Sequence, residues 1–273
     1  MRERLRAEGY MFQTVHYHLK SNKIKEPVTM VMLADLHNHI YGERNEELLK
    51  EIRAQKPDFV CIAGDMLIGN SQISYEVAQE TVKSLAQEFK VYYGLGNHEA
   101  RMKHDLRIYG TRYEDYMAPL KEAGVHILVN EYQNLCVKGN EFRIYGYDLP
   151  MKYFEKFNRY GYETSQITEA LGVCERSETI YQILLAHNPV YFQRYAEWGA
   201  DLTLSGHLHG GIIRLPLIGG VITPQAKLFP RYCAGKYYIG ENTLIVSRGL
   251  GTHTIPIRFN NPPELSVIHL APA

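Results

Sequence analysis

The chain has 273 residues, 45% of them hydrophobic and 22% charged, a balance that excludes a disordered or low-complexity polymer. Its 30 Lys and Arg offset its 30 Asp and Glu, so no overall field selects a nucleic acid, and no dedicated nucleic-acid binding is expected. Four cysteines, Cys61, Cys136, Cys174 and Cys233, form no CxxC pair, which excludes a dense disulfide scaffold and leaves them as reduced thiols.

Met1–Gly9 carries charges with no apolar stretch behind them, unlike a secretory signal. No run reaches the ~18 apolar residues that span a bilayer. A cytoplasmic location is expected, with peripheral attachment to a membrane as a variant of it.

His16 and His18 alternate in a candidate edge strand. Residues Val28–Ala34 form an apolar run ending at Asp35, the pattern of a buried strand. Asn45 is placed to cap a helix through Gln55, with acids in its first turn. Phe59–Ala63 is a second buried strand ending at Gly64-Asp65, Ser74–Phe89 a second helix, and Val91–Leu95 a third strand ending at Gly96-Asn97-His98-Glu99. Strand, helix, strand, helix, strand predicts a parallel sheet. Leu135–Val137 and Phe142–Tyr147 flank Lys138–Glu141 as a hairpin. Residues 148–178 are polar, Tyr-rich and poorly periodic, and read as an insertion or excursion. Gln182–Ala186 ends at His187, and Leu202–Ser205 at Gly206-His207-Leu208-His209; Thr243–Ser247 and Leu265–Leu270 supply late strands. One domain over residues 1–273 is expected.

Strand after strand thus ends on a carboxylate, an amide or an imidazole. In open α/β sheets, ligand sites form beyond the carboxyl ends of the strands. Five loops would deliver N and O donors to one rim. The absence of a thiolate among them favours Mn, Fe or Zn in a hydrolytic site over a structural zinc.

The blocks Asp35-Leu36-His37, Gly64-Asp65, Gly96-Asn97-His98-Glu99, His187 and Gly206-His207-Leu208-His209 resemble those of the calcineurin-like metallophosphoesterase superfamily. Ser205–Gly211, Val246–Gly251 and Pro262–Leu265 look like its bacterial phosphodiesterase-like branch. The resemblance implies an α/β fold of two packed mixed β-sheets flanked by helices, an α-β-β-α sandwich. It implies two divalent metal ions: Asp35, His37, Asp65 and His209 would hold one, and Asp65, Asn97, His187 and His207 the other. It also implies hydrolysis of a phosphoester, a diester ahead of a monoester, by a hydroxide held between the ions, with His98 as general acid. Phosphomonoester and phosphoprotein hydrolysis are the alternatives within the class, and a non-catalytic metal-binding scaffold the alternative outside it. Some members orient this histidine with an acid three residues after the bridging Asp. That position is Ile68 here, so Glu99 or a backbone carbonyl must do so instead, or nothing does.

Asn38, His39 and Arg101 are candidate contacts for a phosphorylated small-molecule or lipid substrate, Arg101 through a bidentate guanidinium. Leu215–Pro230 is unusually apolar for a loop; it is either packed on the core or a lip for acyl chains or a membrane surface.

Overall fold

The computed structural model describes residues 11–155, 161–211, 213–215, 219–222, 229–252 and 258–273. The strands in chain order are β1 (Gln13–Ser21), β2 (Val28–Leu33), β3 (Phe59–Ile62), β4 (Val91–Gly94), β5 (His126–Leu128), β6 (Glu131–Val137) and β7 (Asn140–Gly146). They continue with β8 (Ile180–Leu185), β9 (Leu202–Ser205), β10 (Ile213–Leu215), β11 (Gly219–Ile222), β12 (Gly235–Ile239), β13 (Asn242–Val246) and β14 (Glu264–Pro272).

One six-stranded sheet has the order β1-β14-β2-β3-β4-β5 and the other β12-β13-β9-β8-β7-β6. In the first, β2 to β5 are parallel, while β14 runs antiparallel to β2 and parallel to β1. In the second, β13, β9, β8 and β7 are parallel, with β12 and β6 antiparallel at the edges. Both sheets are mixed.

The period of two along each strand sorts apolar side chains between layers. Met30, Met32, Phe59 and Cys61 face Ile144, Ile183, Leu204 and Ile245 in a core between the sheets. Val31, Leu33, Val60 and Ile62 point the other way, under α1 (Glu46–Ala54), α2 (Glu76–Ala86) and, further along, α5 (Arg112–Glu122). Tyr145, Leu184, Leu244 and Val246 form a third core with α6 (Thr164–Leu171) and α7 (Phe192–Trp198). The helices α3 (Asn97–His104) and α4 (Leu106–Tyr109) lie between β4 and α5 in the chain. This is the expected helix–sheet–sheet–helix sandwich. Each buried Leu-sized side chain contributes about 1.5–3 kcal/mol.

Three local features differ from the sequence reading. Asn45 precedes α1 but does not cap it: its backbone is left-handed, and its buried amide bonds Tyr41 N and Thr81 Oγ1 instead. The hairpin turns at Lys138-Gly139 as expected, yet β6 begins at Glu131, four residues earlier, through exposed polar positions. Residues 148–178 link β7 to its parallel neighbour β8, a connection that must cross over rather than turn back. They supply a 3-10 turn, Met151–Phe154, and α6, with Tyr153, Tyr162 and Ile167 buried against the second sheet.

Of the apolar stretch Leu215–Pro230, Leu215 ends β10, Gly219–Ile222 forms β11, and Phe229 is exposed; residues 216–218 and 223–228 lie outside those described. Among the described residues, no helix is long and apolar enough to cross a membrane.

Candidate metal centre

The parallel strands of both sheets end at one rim, and every nominated ligand lies just past such an end. Asp35 and His37 follow β2, Asp65 follows β3, Asn97 and His98 follow β4, His187 follows β8, and His207 and His209 follow β9. The backbone turns sharply at five of them: Asp35, His37, Asp65, His207 and His209 have φ between 47° and 71°. Left-handed backbone at a non-glycine residue costs about 1–3 kcal/mol and persists where surrounding contacts over-determine it.

Those contacts are present. The Asp35 carboxylate accepts the His207 amide at 3.0 Å, and Asp65 Oδ1 accepts the His98 amide at 2.8 Å. Glu99 is fully buried and accepts four hydrogen bonds, from the Asp65, Met66 and Gly96 amides and from Tyr93 Oη, all at 2.8–3.0 Å. It ties the β3 loop to the start of α3. Gly96 must lack a side chain, because a Cβ there would overlap Asp65 Oδ1.

Two groups result. Asp35, His37 and His209 offer ligand atoms within 4.8 Å of one another, and so do Asp65, His187 and His207. His37, Asp65 and His98 form a third set that overlaps both. His37 Nε2 lies 3.1 Å from His209 Nε2, and His187 Nε2 lies 3.0 Å from Asp65 Oδ2 and 3.7 Å from Asp35 Oδ1. The carboxylates and imidazoles nominated from the sequence therefore converge.

The donor set fits divalent cations. Asn97 Oδ1 is buried with no hydrogen-bond partner, a carbonyl oxygen that needs an electrophile. His187 Nδ1 sits 2.6 Å from Ala63 O and donates its proton there, which leaves Nε2 facing the carboxylates, as second-sphere carbonyls orient metal-binding imidazoles. Burial pushes Asp35 up to about 7 against the pull of His187. Burial also works to raise Asp65, but His187, His98 and His37 outweigh it and hold Asp65 well below the usual carboxylate range. Burial works to lower His187, and Asp65 and Asp35 outweigh it, raising it to about 10. Cations would take over the role of these protons.

His98 is oriented by the backbone. Gly69 N donates to His98 Nδ1 at 2.8 Å, and Tyr109 Oη donates to Gly69 O at 2.9 Å. An amide donor at Nδ1 requires the lone pair there, so the ring proton of neutral His98 is on Nε2, 3.9 Å from Asp65 Oδ2. This supplies the orientation that Ile68 cannot. Glu99 does not contact the imidazole; it serves the neighbouring loop.

Of the candidate substrate contacts, Asn38 and His39 follow His37 directly in the chain. Asn38 Nδ2 bonds Ser74 O at 3.0 Å, while its Oδ1 is buried without a partner. His39 is half-buried, its Nε2 also without a partner, and burial lowers its pKa. The half-buried Arg101 stands one helical turn beyond Asn97. Arg248 pairs instead with the buried Glu264 at 2.8 Å.

Sequence reasoning missed two supports. Gly69 carried no signal, because its use depends on where the β3 loop meets α3. Arg258 is buried, donates to Arg248 O, Gly249 O and Gly251 O, and so fixes the loop whose Leu250 and Gly251 amides bond Ala34 O and Asp35 O. A lone arginine far from any ligand block offers no pattern. The role of Glu99 was readable in principle, since an acid three residues after a helix cap is half of a capping box.

Converging acids, imidazoles and an unpartnered amide at the strand ends of an α-β-β-α sandwich define a metal-dependent hydrolase. The sequence model for calcineurin-like phosphoesterases matches residues 28–211, and the chain belongs to that family. It is 29% identical over 270 residues to the uncharacterized metallophosphoesterase YkuE of Bacillus subtilis, covering 96% of this chain and 87% of that one. It is 26% identical over 253 residues to the phosphodiesterase YaeI of Escherichia coli, covering 89% and 82%. Among solved structures, the NAD nucleotidase NadN of Haemophilus influenzae aligns with 82% of this chain and 50% of its own, at TM-score 0.47 and 15% identity.

Proposed function

We propose that the chain is a dinuclear metal-dependent phosphohydrolase acting on a phosphodiester in preference to a monoester. The observation that carries this is the pair of ligand groups linked where His37 Nε2 meets Asp65 Oδ2 at 3.9 Å, together with the unpartnered Asn97 Oδ1. Asp35, His37 and His209 would hold one cation, Asn97, His187 and His207 the other, and the Asp65 carboxylate both. The name of the related phosphodiesterase YaeI supports the diester preference.

Two bound divalent cations, Mn, Fe or Zn, would supply Lewis-acid polarisation of the phosphoryl oxygens and a water acidified towards neutral pH. The protein's part is to orient. Asn97 contributes a neutral oxygen, which leaves net positive charge for an anionic substrate. Held in the Nε2–H tautomer by Gly69 N, His98 donates a hydrogen bond to the departing oxygen, which takes its proton from water. His39 offers a buried Nε2 that can donate to a phosphate oxygen, whereas Asn38 Oδ1 only accepts and would take a hydroxyl of the substrate. We place the protein in the cytoplasm, with exposed Leu215 and Phe229 as the points of any peripheral membrane contact.

The test is initial hydrolysis of bis-p-nitrophenyl phosphate and p-nitrophenyl phosphate after Mn²⁺ loading, beside an Asp65→Asn control. Faster diester cleavage that falls at least a hundredfold in Asp65→Asn is expected. Turnover of the monoester alone would overturn the diester preference. Near-normal rates in metal-loaded Asp65→Asn would overturn the dinuclear assignment.

A further inference from the structure

Helix α3 starts at the candidate metal centre and leads away from it. Asn97, Arg101 and His104 are spaced four and three residues apart, so they share one helical face. At ~1.5 Å per residue, Arg101 lies about 6 Å and His104 about 10 Å along the axis from Asn97. Beside that face is an open cavity of about 490 Å³, lined by Arg101, His104, Asp105, Leu106, Arg107 and Met151. Met151 opens the turn Met151–Phe154, and the Phe154 ring packs 5.0 Å from His207 and 6.1 Å from His187. One wall of the cavity therefore continues to the ligand groups.

The charges around the cavity are unevenly satisfied. Lys103 and His104 both reach Asp148, at 2.8 and 3.6 Å, and Arg107 lies 4.0 Å from Asp105. The Arg101 guanidinium, half-buried, makes no hydrogen bond or ion pair with a described residue. With no counter-charge of its own, this guanidinium is open to an anion that a ligand brings into the cavity. Its planar fork of donors matches a phosphate, and Leu106 and Met151 offer apolar surface to a carbon skeleton beside it.

We propose that this cavity is a second anion subsite, and that the substrate is a phosphoester carrying a further phosphate group several bonds from the scissile one, bound by Arg101. The inference rests on the phosphohydrolase reading and narrows its substrate class to bisphosphorylated compounds.

The probes are propane-1,3-diol bisphosphate and propyl phosphate, which differ in the second phosphate. Each is titrated calorimetrically into the Mn²⁺-loaded full chain and tested as an inhibitor of bis-p-nitrophenyl phosphate hydrolysis. The wild type is expected to bind the bisphosphate at least tenfold more tightly. In Arg101→Gln the ratio should fall to within threefold of unity, and Arg101→Lys should keep part of it. Chelation of metal by the bisphosphate acts alike on all three proteins, so it cannot produce the difference. Equal binding of the two probes by the wild type, or a ratio that survives Arg101→Gln, overturns the subsite. If bis-p-nitrophenyl phosphate is not hydrolysed at all, the phosphohydrolase reading falls, while the calorimetric ratio still judges the subsite.

Discussion

At Gly69, a backbone amide rather than a side chain orients the His98 imidazole. A carboxylate at position 68 would accept a proton from Nδ1 of His98, whereas the Gly69 amide donates one and fixes the opposite tautomer. The substitution of polarity also demands glycine, because a Cβ at 69 would sit 2.7 Å from the His98 carbonyl oxygen. Gly69→Ala is therefore expected to push the imidazole out of register, at a cost of about 1–3 kcal/mol in overpacking. Its kcat should fall at least tenfold, towards that of His98→Ala, which removes a hydrogen-bond donor to the departing oxygen, an effect of roughly 10²–10³. Metal content measured by mass spectrometry should stay at the wild-type level. A Gly69→Ala rate within twofold of wild type would show that the amide does not orient His98. The candidate ligands were legible because each lies just past a strand end. Gly69 was not, since nothing in Met66-Leu67-Ile68-Gly69 announces which ring its amide will meet.

Elements were legible where burial is two-sided. Phe59–Ile62 is a continuous apolar run and Val28–Leu33 is broken only by Thr29, and each is a central strand. Pairing order was not, because local pattern carries no record of which distant strand lies alongside. The last strand, β14, inserts between β1 and β2 and so brings His269 against His16 and His18, three histidines with no motif in common. His16 Nδ1 lies 2.9 Å from His269 Nε2, the His18 ring stacks on His269 at 4.8 Å, and Thr29 Oγ1 lies 3.1 Å from His269 Nδ1. Burial, then the charges of His18 and His16, lower the His269 pKa below its usual 6.5. The unfolded chain then binds the proton more readily than the folded one, so this contribution to stability is present above pH ~6.5 and is lost as pH falls through the lowered value. Urea midpoints should drop between pH 7.5 and 5.5 by more in the wild type than in His269→Gln. Equal drops would mean that the cluster does not hold β1 to β14 in a pH-dependent way.

Across the whole molecule, the candidate centre is where the two sheets are tied at their rims. Asp35, His37, Asp65, Asn97 and His98 come from the first sheet, and His187, His207 and His209 from the second. Between the sheets the contact is apolar packing, and Lys23–Asp201 and Lys138–Asp58 cross as ion pairs away from the centre. At the rim they meet through charged groups in left-handed backbone, a locally unfavourable arrangement that bound cations would offset. Ligands that bind only the folded state stabilise it by mass action, about 2.7 kcal/mol at a hundredfold excess over Kd. For a chain somewhat larger than 200 residues, each kcal/mol moves Tm by roughly 2–4 °C. Chelation is therefore expected to lower Tm by several degrees per ion removed, with hydrolysis lost in parallel and both restored by Mn²⁺. Because the candidate ligands come from both sheets, hydrogen exchange should rise after chelation in the loops following β8 and β9 as well as those following β2 and β3. Exchange confined to one sheet's loops would show that the cations do not bridge the sandwich, and that the ligands of the other sheet serve only as its hydrogen-bonding partners.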